Sequence, residues 1–190
     1  MLARFLAGGA CAAGMLAAVS VTPAAAHPYD QYIRGRSFFG TLFGPSIARG
    51  VVSYPTNQKP GTIVVSTAQR RLYLVLGNGQ ALSYAIAVGA AGYAWSGVNQ
   101  VTNKREWPEW TPPEEMLQRR PDLPRHMAGG PTNPMGARAI YLGASLYRIH
   151  GSNEPDKIGQ AVSSGCIRMT NQDVIDLYNR VQIGATVIVQ

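Results

Sequence analysis

The sequence predicts a mostly β domain with one or two helices, and three observations favour this fold class. Short runs of β-branched and aromatic residues recur from residue 61 to the end of the sequence. A Gly-Asn-Gly turn at 77–79 joins two of these runs and has the composition of a hairpin turn. One segment, 171–181, carries apolar residues at helical spacing.

Residues 1–26 have the pattern of a signal peptide. A single charge, Arg4, precedes an apolar stretch that ends in small residues, so we expect cleavage before His27. A membrane anchor is the alternative, but glycines interrupt the stretch, which falls short of the roughly 20 strongly apolar residues of a span. We therefore expect an exported protein of the periplasm or cell envelope without a stable membrane span, with Cys11 removed alongside the signal.

Residues 27–60 are predicted to be a tether or loosely packed lead-in, because they are rich in Gly, Pro, Ser, Tyr and Arg without a sustained period. The predicted domain occupies 61–190. Its first half contains three expected strands, 62–66, 71–76 and 81–88. A long loop insertion at 89–136 follows, and within it a capping-box pattern at 111–114 predicts a short helix.

The second half of the domain alternates strand and helix signals. Strands are expected at 139–142, 146–149 and 185–189, and the helix at 171–181 lies between the last two. The catalytic residues of the domain are therefore expected at strand ends and in loops.

The charge of the chain favours an anionic partner. Seventeen Lys and Arg residues against ten Asp and Glu give a formal net charge of +7. Wall polymer, lipid headgroups or nucleic acid would satisfy such an excess. Export and the scattered positions of the charges argue against nucleic acid. A basic surface that serves only solubility accounts for the charge equally well.

Cys166 is the only cysteine left after removal of the signal, and it lies in the run Ser-Ser-Gly-Cys-Ile-Arg-Met at 163–169. An unpaired thiol in an exported protein is either inert and buried or reactive. We expect Cys166 in a glycine turn just before a helix, where the helix dipole favours a thiolate. His150, at the end of an apolar strand, is its expected partner. An unrelated core histidine and buried cysteine are disfavoured by this combination.

The ordered run from His150-Gly151 through 163–169 to Asp173 resembles the signature of the L,D-transpeptidase catalytic domain, the YkuD family. The resemblance covers about residues 61–190 and includes the segment Pro-Thr-Asn-Pro-Met-Gly at 131–136. It implies a mostly β, sandwich-like fold with one or two helices and a long loop insertion. It also implies a cysteine enzyme of peptidoglycan biosynthesis and cell shape, without a cofactor or metal.

Family members attack the bond between the third residue and the fourth, D-Ala, of a tetrapeptide stem. The resemblance therefore implies that D-Ala leaves and that a cysteinyl thioester passes its acyl group to an amine. The amine would belong to another stem, which gives a 3–3 cross-link, to an outer-membrane protein or to a free D-amino acid.

The resemblance implies a role for each residue of the motif. Cys166 would be the nucleophile and His150 the base, with the Gly151 carbonyl holding the imidazole in its useful tautomer. The backbone N–H groups of Ser164, Gly165 and Cys166 would form the oxyanion hole.

One residue departs from the family pattern. The family usually has His at the position of Ser164, and Ser keeps the backbone donor while losing an imidazole. We therefore expect altered rate or selectivity and an intact nucleophile. Ser163 matches the family and is expected to position the thiol loop, while Asn171 and Asp173 are expected to cap the following helix.

Four further residues are implied as substrate contacts. Arg168 would hold a substrate carboxylate or brace the loop. Tyr93, Asn133 and Arg138 are expected to line the cleft by resemblance alone.

Other residues have competing interpretations. His126 is a candidate for a second base. A zinc site formed by His126, His150 and Cys166 is disfavoured, because the three residues lack the spacing of metal ligands. Two interpretations of the loop tryptophans stay open: they line a cleft for substrate, or they anchor the packing of the loops. These tryptophans are Trp95, Trp107 and Trp110. Arg148 is interpreted as solvent-facing.

Three functions remain open from the sequence. The first is an exported L,D-transpeptidase. The second is an L,D-carboxypeptidase or other hydrolase that uses the same thiol with water as acceptor. The third is a non-catalytic wall-binding module with a vestigial cysteine.

Overall fold

The computed structural model describes residues 49–190, which contain eleven strands, two α-helices and a short 3-10 turn at Pro155–Lys157. The strands are β1 Gly50–Ser53, β2 Ile63–Ser66, β3 Arg71–Gly77, β4 Gln80–Ala85, β5 Val88–Gly89, β6 Gly97–Glu106, β7 Arg138–Leu142, β8 Arg148–His150, β9 Ala161–Ser163, β10 Ile167–Arg168 and β11 Thr186–Val189. The helices are α1 Glu114–Arg119 and α2 Asn171–Arg180. The predicted mostly β class with one or two helices is confirmed.

Nine strands form one sheet in the order β1-β4-β3-β2-β11-β6-β7-β8-β10, and β5 pairs separately with β9. The long strand β6 connects the two halves of the large sheet. Its first residues pair with β11, and the part from Val101 onward pairs with β7. Both halves contribute apolar side chains to one buried cluster. The sheet therefore encloses its core from two sides, as a sandwich does.

The predicted hairpin is present between β3 and β4. Asn78 and Gly79 both have positive φ, 52° and 69°, which is the backbone that a two-residue hairpin turn of this composition requires. Pairing of Leu74 with Leu82 and of Leu72 with Tyr84 then buries these four side chains in the core.

Strands β7 and β8 have one apolar face and one polar face. Ile140, Leu142 and Ile149 are fully buried in the core, and helix α2 packs on the same side through Val174 and Leu177. Because side chains alternate along a strand, residues at the intervening positions of β7 and β8 face away from this core.

The insertion predicted as a loop at 89–136 contains the ten-residue strand β6. The prediction is wrong at this segment because Gly-Val-Asn-Gln-Val-Thr-Asn-Lys-Arg-Glu has no strand-like alternation. Backbone pairing with β11 on one side and β7 on the other supports the strand, and its side chains are mostly exposed.

Both predicted helices are present, but their caps differ from the prediction. Helix α1 follows Pro113 without a side-chain cap, so the expected capping box is wrong. Helix α2 is capped by Thr170, whose Oγ1 accepts a hydrogen bond from the Asp173 N–H at 3.1 Å. Asn171 is the first helical residue, so its expected capping role is wrong.

The predicted lead-in is folded in its last part. Residues 50–53 form β1, which pairs with β4, so a tether extending to residue 60 is wrong there. The predicted signal peptide and residues 27–48 lie outside the described residues. Within 49–190 no helix has the length and apolar character needed to cross a membrane.

Candidate active site

A parallel pair of short strands brings the predicted nucleophile and base together. Strand β10 pairs with β8 so that Ile167 lies opposite Ile149 and Arg168 opposite His150. Cys166 immediately precedes β10, so this parallel register places it level with Arg148, the first residue of the short strand that ends in His150. The predicted position of Cys166 at a helix start is wrong, because β10 intervenes and α2 begins only at Asn171.

The imidazole of His150 is buried, with 4% of its surface exposed. Its Nδ1 lies 2.7 Å from the Gly151 carbonyl oxygen. A carbonyl only accepts, so Nδ1 carries the proton and Nε2 is left as an acceptor. This is the contact that the family resemblance implies for Gly151.

Burial is the main cause that lowers the pKa of His150 to about 4, and the charge of Arg168 lowers it further. The hydrogen bond to Gly151 opposes these effects only in part, and Arg148 adds to the lowering. Contact with the Met135 backbone also opposes the lowering in part, so His150 is neutral near pH 7 with Nε2 as its unprotonated nitrogen, the form in which a general base acts.

The thiol of Cys166 is partly exposed and donates to the Leu146 carbonyl at 3.8 Å. Ser163 holds the turn that carries it. The Ser163 hydroxyl donates to the Cys166 carbonyl at 2.5 Å and accepts from the Gly165 N–H at 3.2 Å. The Gly165 N–H, one of the three predicted oxyanion donors, is therefore already engaged within the turn.

An aromatic pair covers the same turn. Trp95 stacks on Tyr147 with ring centroids 4.3 Å apart, and its indole N–H donates to the Gly165 carbonyl at 2.8 Å. Gly165 has a φ of 104°, and a Cβ there would lie 2.7 Å from the Tyr147 ring. Trp95 is thus a packing anchor that fixes the cysteine turn. Tyr93 adjoins the turn through its backbone, while its ring lies under Arg119 at 5.4 Å.

Asn171 is a site residue whose role the sequence did not indicate. Its Oδ1 accepts from the Ala137 N–H at 2.9 Å and from the Ser152 N–H at 3.3 Å. It also leaves no room for a Cβ on Gly151. Asn171 therefore fixes the backbone segment whose carbonyl orients His150. Ala137, Ser152 and Asn171 are distant in sequence and meet only in the folded chain, so their spacing in the sequence does not predict this contact.

Comparison with known proteins assigns this arrangement to a family. The model of the L,D-transpeptidase catalytic domain, YkuD, matches residues 60–189. The chain belongs to this family. A curated relative, the probable L,D-transpeptidase ErfK/SrfK of Escherichia coli K12, is 40% identical over 134 residues, 66% of this chain and 42% of the relative. The chain thus spans less than half the length of that protein.

Solved structures share the fold of the L,D-transpeptidase domain. L,D-transpeptidase 3 of Mycobacterium tuberculosis covers 68% of this chain and 60% of its own with a TM-score of 0.52, at 20% identity. A Brucella melitensis structure named as a probable carnitine operon oxidoreductase is 43% identical and has a TM-score of 0.52. It covers 77% of this chain and 96% of its own. Its name describes that protein, while the family match of the present chain rests on the transpeptidase domain.

Two of the predicted substrate contacts are structural residues of this L,D-transpeptidase domain. Asn133 is completely buried, and its amide donates to backbone carbonyls of the insertion, so it cannot reach substrate. Arg138 is also buried, pairs with Glu106 at 3.4 Å and lies over the Tyr178 ring of α2. Both predictions are wrong, because these side chains point into the protein.

Arg168 has a carboxylate partner within the chain. Its Nη1 lies 3.4 Å from Glu154 Oε2, and its charge acts on His150. This ion pair links β10 to the loop after β8, and the two predicted roles of Arg168, bracing the loop and holding a substrate carboxylate, stay predictions.

A cavity of about 540 Å³ lies against β7 and β8, which contribute Tyr141 and Arg148 to its lining, whereas His150 and Cys166 are not part of that lining. Its lining also includes Trp107 and Trp110, and Arg148 reaches solvent through this open cavity. His126 lies outside this lining, beside Glu109 at 3.3 Å, and is exposed. Within residues 49–190 no three His, Cys, Asp or Glu side chains are grouped so that they could hold a metal ion.

Proposed function

We propose that this protein is an exported L,D-transpeptidase that acts on peptidoglycan stem peptides in the cell envelope. The observation that carries the proposal is the Nδ1 contact of His150 with the Gly151 carbonyl, next to the strand that follows Cys166. It leaves Nε2 as the acceptor nitrogen of His150, and the pairing of β10 with β8 brings the free thiol of Cys166 to the strand that carries this histidine. The family match and the basic charge of the chain support a wall substrate.

The first half-reaction forms a thioester. His150 Nε2 takes the thiol proton as Cys166 Sγ attacks the carbonyl carbon between the third and fourth stem residues. The N–H groups of Ser164 and Cys166 stabilise the oxyanion of the tetrahedral intermediate. The carbon–nitrogen bond then breaks, and the imidazolium returns its proton to the departing D-Ala amine.

The second half-reaction reverses these roles. An acceptor amine attacks the thioester carbonyl and loses a proton to His150, and the Cys166 thiol is regenerated. A second stem yields a 3–3 cross-link, whereas an outer-membrane protein amine yields a protein–wall attachment.

Incubation of the purified protein with disaccharide-tetrapeptide, followed by mass spectrometry, tests the proposal. We expect cross-linked dimers with loss of D-Ala and a transient thioester on Cys166, both absent from Cys166→Ser. Tripeptides without dimers would assign the same thiol to a hydrolase. Absence of any product or adduct would leave the wall-binding module.

A further inference from the structure

The polar face of the sheet carries a second group of functional side chains beside His150. Strand register places Arg105 opposite Ala139, Ala139 opposite His150, and Tyr141 opposite Arg148. Directly paired residues share a face and alternate residues return to it, so Arg105, Tyr141 and Arg148 lie on the face of His150. All three line the cavity of about 540 Å³.

The guanidinium of Arg148 lies beside the nucleophile. Its Nη1 donates to the Leu146 carbonyl at 3.0 Å, and the Cys166 thiol donates to the same oxygen at 3.8 Å. The group rests over the Tyr141 ring, 5.3 Å from its centroid, which fixes its plane. A substrate whose carbonyl meets the thiol therefore has its next few atoms within reach of this guanidinium.

Among residues 49–190, neither arginine of the cavity has a carboxylate partner, whereas one of the two cavity glutamates is paired with an arginine. Among the ion pairs of residues 49–190, none involves Arg105 or Arg148. Glu106 is paired with Arg138 at 3.4 Å, and Glu109 lies 3.3 Å from the His126 imidazole, a contact that is an ion pair only when this imidazole is protonated. A guanidinium has five N–H donors, and Leu146 accepts from Arg148 Nη1 alone. The cavity thus presents positive charge with unused donors, walled by Trp107 and Trp110.

We propose that Arg148, assisted by Arg105, binds the terminal carboxylate of the donor stem and selects it over neutral stem ends. The inference rests on the proposed function, because it places the scissile carbonyl at Cys166. The carboxylate of the leaving residue is only three bonds from that carbonyl carbon, which matches the closeness of Arg148 to the thiol. A planar guanidinium held on an aromatic ring suits bidentate binding of a carboxylate, which a lysine does not reproduce.

Binding to the Cys166→Ser protein tests this without turnover. Calorimetry compares a tetrapeptide stem having a free terminal carboxylate with the same stem as its carboxamide. A charge-assisted hydrogen bond predicts that the parent prefers the acid by roughly 10- to 100-fold in Kd. Arg148→Gln should bring the two Kd values within about twofold by weakening acid binding alone, and Arg148→Lys should fall between these limits. Arg105→Gln should reduce the preference by a smaller factor.

Arg180→Gln is the matched control, because it removes one arginine charge elsewhere in the molecule. Arg180 lies on α2, pairs with Asp176 and is not part of the cavity lining. The variant should keep the parent preference. The inference is overturned if the parent does not prefer the acid, or if Arg148→Gln keeps the parent ratio while unfolding at a similar temperature. If Arg148→Gln does not fold, the preference for the acid over the carboxamide is compared between Arg148→Lys and the parent. An unchanged preference in Arg148→Lys then overturns the inference.

The outcomes separate this inference from the proposed function. An acid preference that depends on Arg148, in a protein that forms no thioester, would refute acyl transfer and leave the carboxylate site standing. Thioester formation with equal use of acid and amide stems would refute the carboxylate site and leave acyl transfer standing.

Discussion

The ring of His150 is buried, and its Nδ1 is held by the Gly151 carbonyl. Its neighbours lower its pKa to about 4, through burial first and the charge of Arg168 second. The rate of thioester formation should therefore stay constant from pH 7 to about pH 5 and fall with a midpoint near 4, because only then is the base protonated. Mass spectrometry of the Cys166 adduct against pH measures this midpoint.

His150→Ala is the control. Its rate of thioester formation should be lower by roughly 100- to 10,000-fold, and this rate should not show the same fall near pH 4. An acidic midpoint close to the ordinary histidine value of 6.5 would contradict the buried, neutral base.

Asn171 acts on the site through the backbone. Asn171→Ala leaves the N–H groups of Ala137 and Ser152 without their acceptor, so the free energy of unfolding should fall by about 1–3 kcal/mol. The rate of thioester formation should fall as well, because the Gly151 segment loses its support. Asn171→Asp keeps an acceptor oxygen and should restore most of the rate. A rate unchanged in Asn171→Ala would show that Gly151 holds its position without this side chain.

The motif residues and the supporting residues differ in how far sequence reveals them. Cys166, His150 and Gly151 are adjacent to distinctive glycines and follow a fixed order, so the sequence identifies them. Asn171 contacts the segments that flank β7 and β8 from the start of α2, and Arg148 lies on a face that only the register of β7 and β8 reveals. Asn133 and Arg138 show the converse, since resemblance alone does not distinguish a buried structural side chain from a cleft residue.

At the level of elements, helix α2 supports the site from the core side. Thr170 caps it by accepting from the Asp173 N–H at 3.1 Å. Thr170→Ala should lower the free energy of unfolding by about 1 kcal/mol, whereas Thr170→Ser, which keeps a hydroxyl, should lose little. Denaturant titration of both variants checks this, and equal losses would show that the methyl group matters more than the cap.

Elements were predictable where local sequence determines them. The β3–β4 hairpin follows from its turn residues, and α2 follows from its apolar spacing. Strand β6 was not predictable, because its stability comes from two neighbouring strands that are distant in sequence. The cap of α2 was assigned to Asn171 and Asp173, whereas Thr170 provides it, because all three are suitable cap types.

The stability of the whole molecule should depend on pH through the same histidine. The unfolded chain binds a proton at His150 near pH 6.5, whereas the folded chain binds it only near pH 4. Between these values the unfolded state holds more protons, so the free energy of unfolding should fall as pH falls, by up to about 3 kcal/mol. Denaturation at pH 7 and at pH 4.5 measures the difference.

His150→Gln isolates the contribution of the histidine. Burial raises the pKa of Asp173, which titrates in both proteins and therefore cancels in the comparison. The variant should lose most of the change in stability between the two pH values. A change of the same size in His150→Gln would assign it to other groups.

The position of β11 bears on when the domain can fold during biosynthesis. This strand, Thr186–Val189, is the last in chain order among the described residues, yet it lies between β2 and β6 near the middle of the large sheet. A nascent chain that has not reached residue 186 leaves both neighbours without their shared partner. Nearly all of residues 49–190 must therefore be synthesised before the large sheet can close, so the domain should complete its folding only after synthesis of this stretch has finished.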